Sequence, residues 1–143
     1  MVVSGCAISP LFVTLMFMKK SLMQQIVSLE SVFVAVLVAV FYVSVGGYDW
    51  YWLILAFPIF DISMVGYAIN TKMGAVTYNI GHSIIGPAIL STIYVFTDIN
   101  WMLFVASLWL FHIFIDRALG YGLKHSTSFR HTHLGPIGKS KKK

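Results

Sequence analysis

Residues Trp101–Leu119 read WMLFVASLWLFHIFIDRAL, with no charged side chain before Asp116 and Arg117. A bilayer core of about 30 Å takes about 20 mostly apolar residues in one helix, so this stretch reads as a membrane span. It also holds two groups that a lipid-facing helix avoids. His112 and Asp116 stand four residues apart and therefore share a helix face.

Three further runs of similar length lie upstream. Ile26–Val45 stops at Gly46-Gly47, Trp50–Ile69 ends at Asn70-Thr71-Lys72, and Met73–Phe96 is closed by Thr97-Asp98. The links are short and carry turn residues, which makes sequential helices antiparallel neighbours. The expected fold class is all-α: an integral-membrane, four-helix transmembrane bundle with up-down antiparallel topology. Trp50, Tyr51, Trp52 and Trp101 fall at span ends, where aromatic rings favour the headgroup level. Pro58 and Pro87 are expected to kink their helices.

Composition agrees. Of 143 residues, 58% are hydrophobic and 10% charged, and the mean hydropathy is +0.81. A soluble domain carries about 25% charged residues. A water-soluble enzyme, a disordered tail and a disulfide-stapled secreted domain are thereby excluded. Cys6 is the single cysteine and forms no internal disulfide.

Charge orients the bundle. With four spans, the N-terminal segment, the second link and the C-terminal tail share one side. That side holds all ten cations: Lys19, Lys20, Lys72, Arg117, Lys124, Arg130, Lys139, Lys141, Lys142 and Lys143. The opposite side holds only Asp49 and Asp98. The positive-inside rule puts both termini in the cytoplasm and the chain in the plasma (inner) membrane. The pI near 9.4 then reports contact with anionic lipid head groups in the bilayer. No base-stacking or groove-reading motif accompanies it, so nucleic acid is not an expected partner.

Three regions follow: 1–25, 26–119 for the transmembrane domain, and 120–143 for a basic, His-rich cytoplasmic tail. Val3-Ser4-Gly5-Cys6 resembles a lipoprotein cleavage box but lacks the charged segment and apolar run that precede one. Pro10–Met18 is apolar and runs into Lys19-Lys20, as in an interfacial helix. A fifth short span or an upstream extension are the other readings of this region.

Ionisable groups inside spans are costly and mark functional sites. There are five: Glu30, Asp61, His82, His112 and Asp116. At about 1.5 Å per residue, Asp61, His82 and His112 sit roughly 11–14 Å below the cytoplasmic boundary. Glu30 and Asp116 sit roughly 4–6 Å below it. Every helix thus places a polar group in the cytoplasmic half. Asp61, His82 and His112 are candidate metal ligands. Asp116 is expected to orient His112, and Glu30 to act as general base. Carboxylates with imidazoles suit a divalent Zn, Mn or Fe better than Ca or Cu(I). Hydrogen-bonded packing between membrane helices explains the same residues without a metal. A haem or chlorin pigment is a further alternative, since Gly74, Gly81, Ser83 and Gly86 around His82 would let a flat macrocycle approach. In the tail, His125, His131 and His133 join Lys124, Arg117 and Arg130 in a cationic cover over the polar layer. Arg117 and Arg130 are candidates to hold a phosphate or carboxylate group.

Several blocks carry a family resemblance. They are Glu30, Asp61–Tyr67, Gly74–Ser83, His112–Lys124 and the closing Thr132–Gly138. Over roughly residues 26–138 the chain resembles a family of small bacterial membrane proteins, domain-of-unknown-function family 4260. That family often has an Asp near His131, which is basic here. The resemblance implies a four-helix membrane fold and no particular activity. In style, the chain is also similar to membrane-bound metal-dependent hydrolases that carry His and Asp on transmembrane helices.

Two functions compete at this level. One is a metal-dependent, membrane-embedded hydrolase acting on a lipid-like substrate. The other is a non-catalytic accessory subunit of a larger membrane complex, its histidines packing or ligating haem or chlorin. Proton translocation through Glu30, Asp116 and His112 is disfavoured, because the outer half offers no polar continuation.

Overall fold

The structure, a computed structural model, describes residues 22–137. The expected interfacial segment within residues 1–25 lies almost wholly outside them, as do Lys139, Lys141, Lys142 and Lys143.

The chain is mostly helical. α1 spans Leu22–Ser44, followed by two single-turn helices, α2 (Trp52–Leu55) and α3 (Phe57–Phe60). A 3-10 helix, Asp61–Ala68, continues from α3. α4 covers Thr71–Gly81, α5 Ile85–Thr97 and α6 Asn100–Leu119. α6 is the central element, packed by α1 along its length and by α5, while the 3-10 helix packs on α4. Three helical units, Leu22–Ser44, Thr71–Thr97 and Asn100–Leu119, are long and apolar enough to cross a membrane. The fourth, Trp52–Ala68, is shorter.

Two of the expected spans are not regular α-helices throughout. In Trp50–Ile69 the helix is interrupted at Ala56, whose backbone stays helical at φ −82° and ψ −10°, and Pro58 sits in the first turn of α3, where its missing N–H costs nothing. From Asp61 the helix tightens. Ser63 and Gly66 are poor helix formers, and the three-residue period of a 3-10 helix puts them on one edge. That edge meets α4 at close range. A Cβ on Gly66 would strike Thr77 and the Met73 carbonyl, one on Gly81 would meet Ser63, and one on Gly74 would enter the Tyr67 ring. In Met73–Phe96 the helix stops at His82 and restarts at Ile85, with Pro87 in the new first turn. Asn70 caps α4, its side chain accepting from Met73 N at 2.9 Å.

One end of the molecule is an aromatic core: Tyr42, Leu53, Ala56 and Leu108 are buried, with Tyr48 and Phe104 against them. Tyr48 donates to the Asn100 carbonyl at 2.8 Å and Tyr42 to the Asp49 carbonyl at 3.3 Å, tying the turn after α1 to the start of α6. Outward-facing apolar side chains run along the helices, among them Phe33, Leu37, Ile62, Ile80, Ile85 and Val95.

The tail is folded as far as Ile137, and it adds a small β element to the expected all-α class. Gly120, at φ 97°, ends α6 in the left-handed region. The chain then returns as a hairpin, β1 (His131–Thr132) paired antiparallel with β2 (Gly135–Pro136). Gly135 adopts φ 115° in the turn, a conformation that glycine accepts without strain. Gln24, near the start of α1, donates to the Leu134 carbonyl and holds the hairpin against the helices.

Candidate metal centre

His82 owes its position to the break between α4 and α5. Its Nδ1 lies 3.0 Å from the Tyr78 carbonyl and 3.3 Å from Ser63 Oγ. A carbonyl oxygen can only accept, so Nδ1 carries the hydrogen and a neutral His82 presents a bare Nε2 lone pair. The Tyr78 ring stacks on the imidazole at 3.8 Å and 15°. His112 is fully buried on α6, flanked by the rings of Phe57 at 4.3 Å and Phe60 at 5.5 Å. Its buried Nδ1 has no hydrogen-bond partner among the described residues.

The two imidazoles meet Nε2 to Nε2 at 3.1 Å. Asp61 Oδ1 stands 3.7 Å from each of these nitrogens. Asp116 Oδ2 stands 3.4 Å from His82 Nε2 and 4.0 Å from His112 Nε2. All four atoms lie within 4.8 Å of one another. Ligands bonded tetrahedrally at about 2.1 Å are about 3.4 Å apart; the nitrogen–oxygen pairs, at 3.4–4.0 Å, stand near that spacing, while the whole group, spread over as much as 4.8 Å, is wider than a closed ion site. Side-chain exposure is 4% for His82, 1% for His112 and 13% for Asp116, against 43% for Asp61, which marks the open edge. Tyr78 Oη donates to Asp116 Oδ2 at 3.3 Å and so fixes the carboxylate. The bare Nε2 of His82 and two carboxylates converge on one point, an arrangement that calls for a proton or a cation among them; His112 Nε2–H donating to His82 Nε2 supplies the first, and a bound metal ion would supply the second.

Four sequence-predicted residues, Asp61, His82, His112 and Asp116, are thus brought together. Glu30, expected as general base, is exposed on α1 and stands outside that group. Arg117 is half-buried with its guanidinium over the Phe114 ring at 5.4 Å, and Arg130 is exposed.

The tail supplies partners that periodicity in the sequence does not announce. Asn79 clamps Lys124 as a β-neighbour would, donating to its carbonyl at 2.9 Å and accepting from its N–H at 2.7 Å. Lys124 is 5% exposed, and its Nζ lies over three rings: Phe129 at 4.2 Å, Tyr78 at 5.0 Å and Tyr121 at 5.7 Å. Burial pulls this ammonium below the ordinary lysine pKa, and the charge of Asp116 opposes that pull. His133 is engaged structurally, its Nδ1 accepting from Leu123 N at 2.8 Å, which leaves it unavailable there as a ligand. The sequence-level signal for this arrangement is Asn79, a polar residue within an apolar span and three positions before His82.

A family model described as Domain of unknown function (DUF4260) matches residues 24–137. No curated protein and no solved structure matches the chain.

Proposed function

The chain belongs to the DUF4260 family, and we propose that it is a membrane-embedded, metal-dependent hydrolase acting on a lipid-like substrate. Its centre holds one divalent ion, zinc, manganese or iron, between Asp61, His82, His112 and Asp116. The observation that carries this reading is the 3.1 Å approach of two histidine Nε2 atoms with a carboxylate oxygen on either side. A divalent cation balances the two carboxylate charges and satisfies both lone pairs, and two imidazoles with two carboxylates suit these metals.

The supports for hydrolysis are the shape and lining of the site. Catalytic metal sites pair three protein ligands with one open position; His82, His112 and Asp116 would be the three buried ligands, and the half-exposed Asp61 would border the open position rather than close it. A bound divalent ion there would supply a water of lowered pKa. Phe57 and Phe60 pack their rings against His112, an apolar flank that suits an acyl or isoprenoid chain. Asp116, held by Tyr78, keeps its oxygen aimed at the ion site, and Asp61 is the carboxylate placed to accept a proton from an incoming water.

Membrane insertion with four spans and cytoplasmic termini is part of the proposal. The outward apolar side chains support it. So does the length of Trp52–Ala68: with eight residues in the 3-10 form, which rises about 2.0 Å per residue, the unit reaches about 29 Å. The accessory-subunit reading with haem or chlorin gains no support from the site. The two imidazole nitrogens stand 3.1 Å apart with carboxylates beside them, a gap too narrow for a macrocycle.

Metal analysis with an absorption spectrum on the purified protein tests the proposal. About one zinc, manganese or iron ion per chain and no Soret band are expected. A Soret band, or a metal-free protein after purification in metal-supplemented buffer, would overturn it.

A further inference from the structure

We propose that Lys124 and Tyr67 form the anion-holding half of the site, taking the oxygens of a phosphate monoester whose remainder reaches the metal cluster; this rests on the metal reading above. Two independent observations meet here. Lys124 is a buried cation with no carboxylate within 4.0 Å among the described residues, only aromatic faces. Tyr67 Oη is buried and has no hydrogen-bond partner among the described residues. Both groups meet the Phe129 ring, Lys124 Nζ over its face at 4.2 Å and the Tyr67 ring edge-on at 5.1 Å.

A buried cation without a carboxylate partner and an orphan buried hydroxyl, both on residues that pack on the Phe129 ring, lack the same thing, an anionic acceptor. A phosphate oxygen supplies it to both. The backbone clamp from Asn79 fixes Lys124 rather than leaving it on a mobile tail. The Tyr78 ring touches both halves, with His82 stacked on it at 3.8 Å and Lys124 Nζ 5.0 Å from its centre. Tyr67 shares the 3-10 row of Asp61, since six residues make two turns, and sits about 12 Å further along the axis. A ligand held at Lys124 and Tyr67 therefore extends along the Asp61 face toward the metal. Charge agrees: two carboxylates and a divalent ion cancel, leaving Lys124 as the net positive charge that an anion answers.

The test uses full-length, zinc-loaded protein in neutral detergent, with zinc content measured on every sample. Two probes are titrated by calorimetry, inorganic phosphate and phosphatidic acid in mixed micelles. Wild type, Tyr67→Phe, Lys124→Gln and Lys124→Arg are compared. Tyr67→Phe removes a hydroxyl that has no protein partner, so it leaves folding and zinc content intact and weakens phosphate binding about 10-fold. Lys124→Gln weakens it further, and Lys124→Arg retains it. Tighter binding of phosphatidic acid than of free phosphate identifies the ligand as lipid-borne, and the reverse as soluble. In unmodified protein, phosphate is also expected to slow acetylation of Lys124 but not of Lys72, read by mass spectrometry, which needs no variant to fold. Zinc-loaded wild type that binds neither probe, or variants that bind them equally, would overturn the anion site and leave the metal centre standing. Absence of zinc from wild type would overturn the metal reading and this inference with it.

Discussion

His82 Nε2 and His112 Nε2 face each other at 3.1 Å, although thirty residues separate them and they stand on different helices. The proton on His82 Nδ1 is committed to the Tyr78 carbonyl at 3.0 Å, so the imidazole lone pair is turned into the contact rather than away from it. Two carboxylates complete the ring of acceptors. The predictions below follow from that contact and from the elements that hold it.

Tyr78→Phe keeps the ring stacked on His82 and removes only the hydroxyl that donates to Asp116. Loss of an outer hydrogen bond on a metal ligand weakens metal affinity by about 10–100-fold. Competition with a chelator measures this. Unchanged zinc affinity would mean that Asp116 is not a ligand.

Gly66→Ala should destabilise the protein by about 1–3 kcal/mol, the usual cost of overpacking. The new methyl would meet the Met73 carbonyl at 2.9 Å and Gly74 Cα at 3.1 Å, and backbone cannot step aside. The same shift moves the 3-10 helix that carries Asp61, so metal affinity should fall with thermal stability. Thermal unfolding and zinc titration on one sample check both.

Asn79→Ala removes both hydrogen bonds that clamp Lys124. Two bonds at roughly 0.5–1.5 kcal/mol each place the loss near 1–3 kcal/mol. The expected outcome is faster tryptic cleavage after Lys124 and Arg130, with the helices still intact by circular dichroism. Cleavage at the wild-type rate would show that the clamp contributes nothing.

Topology has its own test. In a Cys6→Ser background, cysteines replacing Asp49 and Lys139 are expected to react with an impermeant thiol reagent from opposite sides of the membrane. Labelling of both from one side would sink the four-span arrangement.

Much of the helical plan can be read in the sequence. Runs of apolar residues place α1 and α6 to within a few residues, because burial in one solvent acts on composition alone. Equal depth also points to Asp61, His82 and His112 as neighbours. Breaks are harder to see. The 3-10 helix depends on glycines of α4 meeting Ser63 and Tyr67 at close range, a tertiary contact that hydropathy does not register. The tail hairpin is invisible for a related reason. Its pairing is set by Asn79 and Gln24, far away in the chain, and a basic composition alone reads as a solvated end. Glu30 shows the converse: depth along a helix is legible, but which face it takes is decided by how α1 packs on α6.

The central claim is that a divalent ion, not a shared proton, occupies the contact between His82 and His112. Zinc per chain, measured on wild type and His82→Ala purified side by side, tests it most directly. The account predicts about one ion per chain in wild type and essentially none in His82→Ala. A His82→Ala protein that keeps its full zinc complement, or a wild type that holds none while folded, would contradict it.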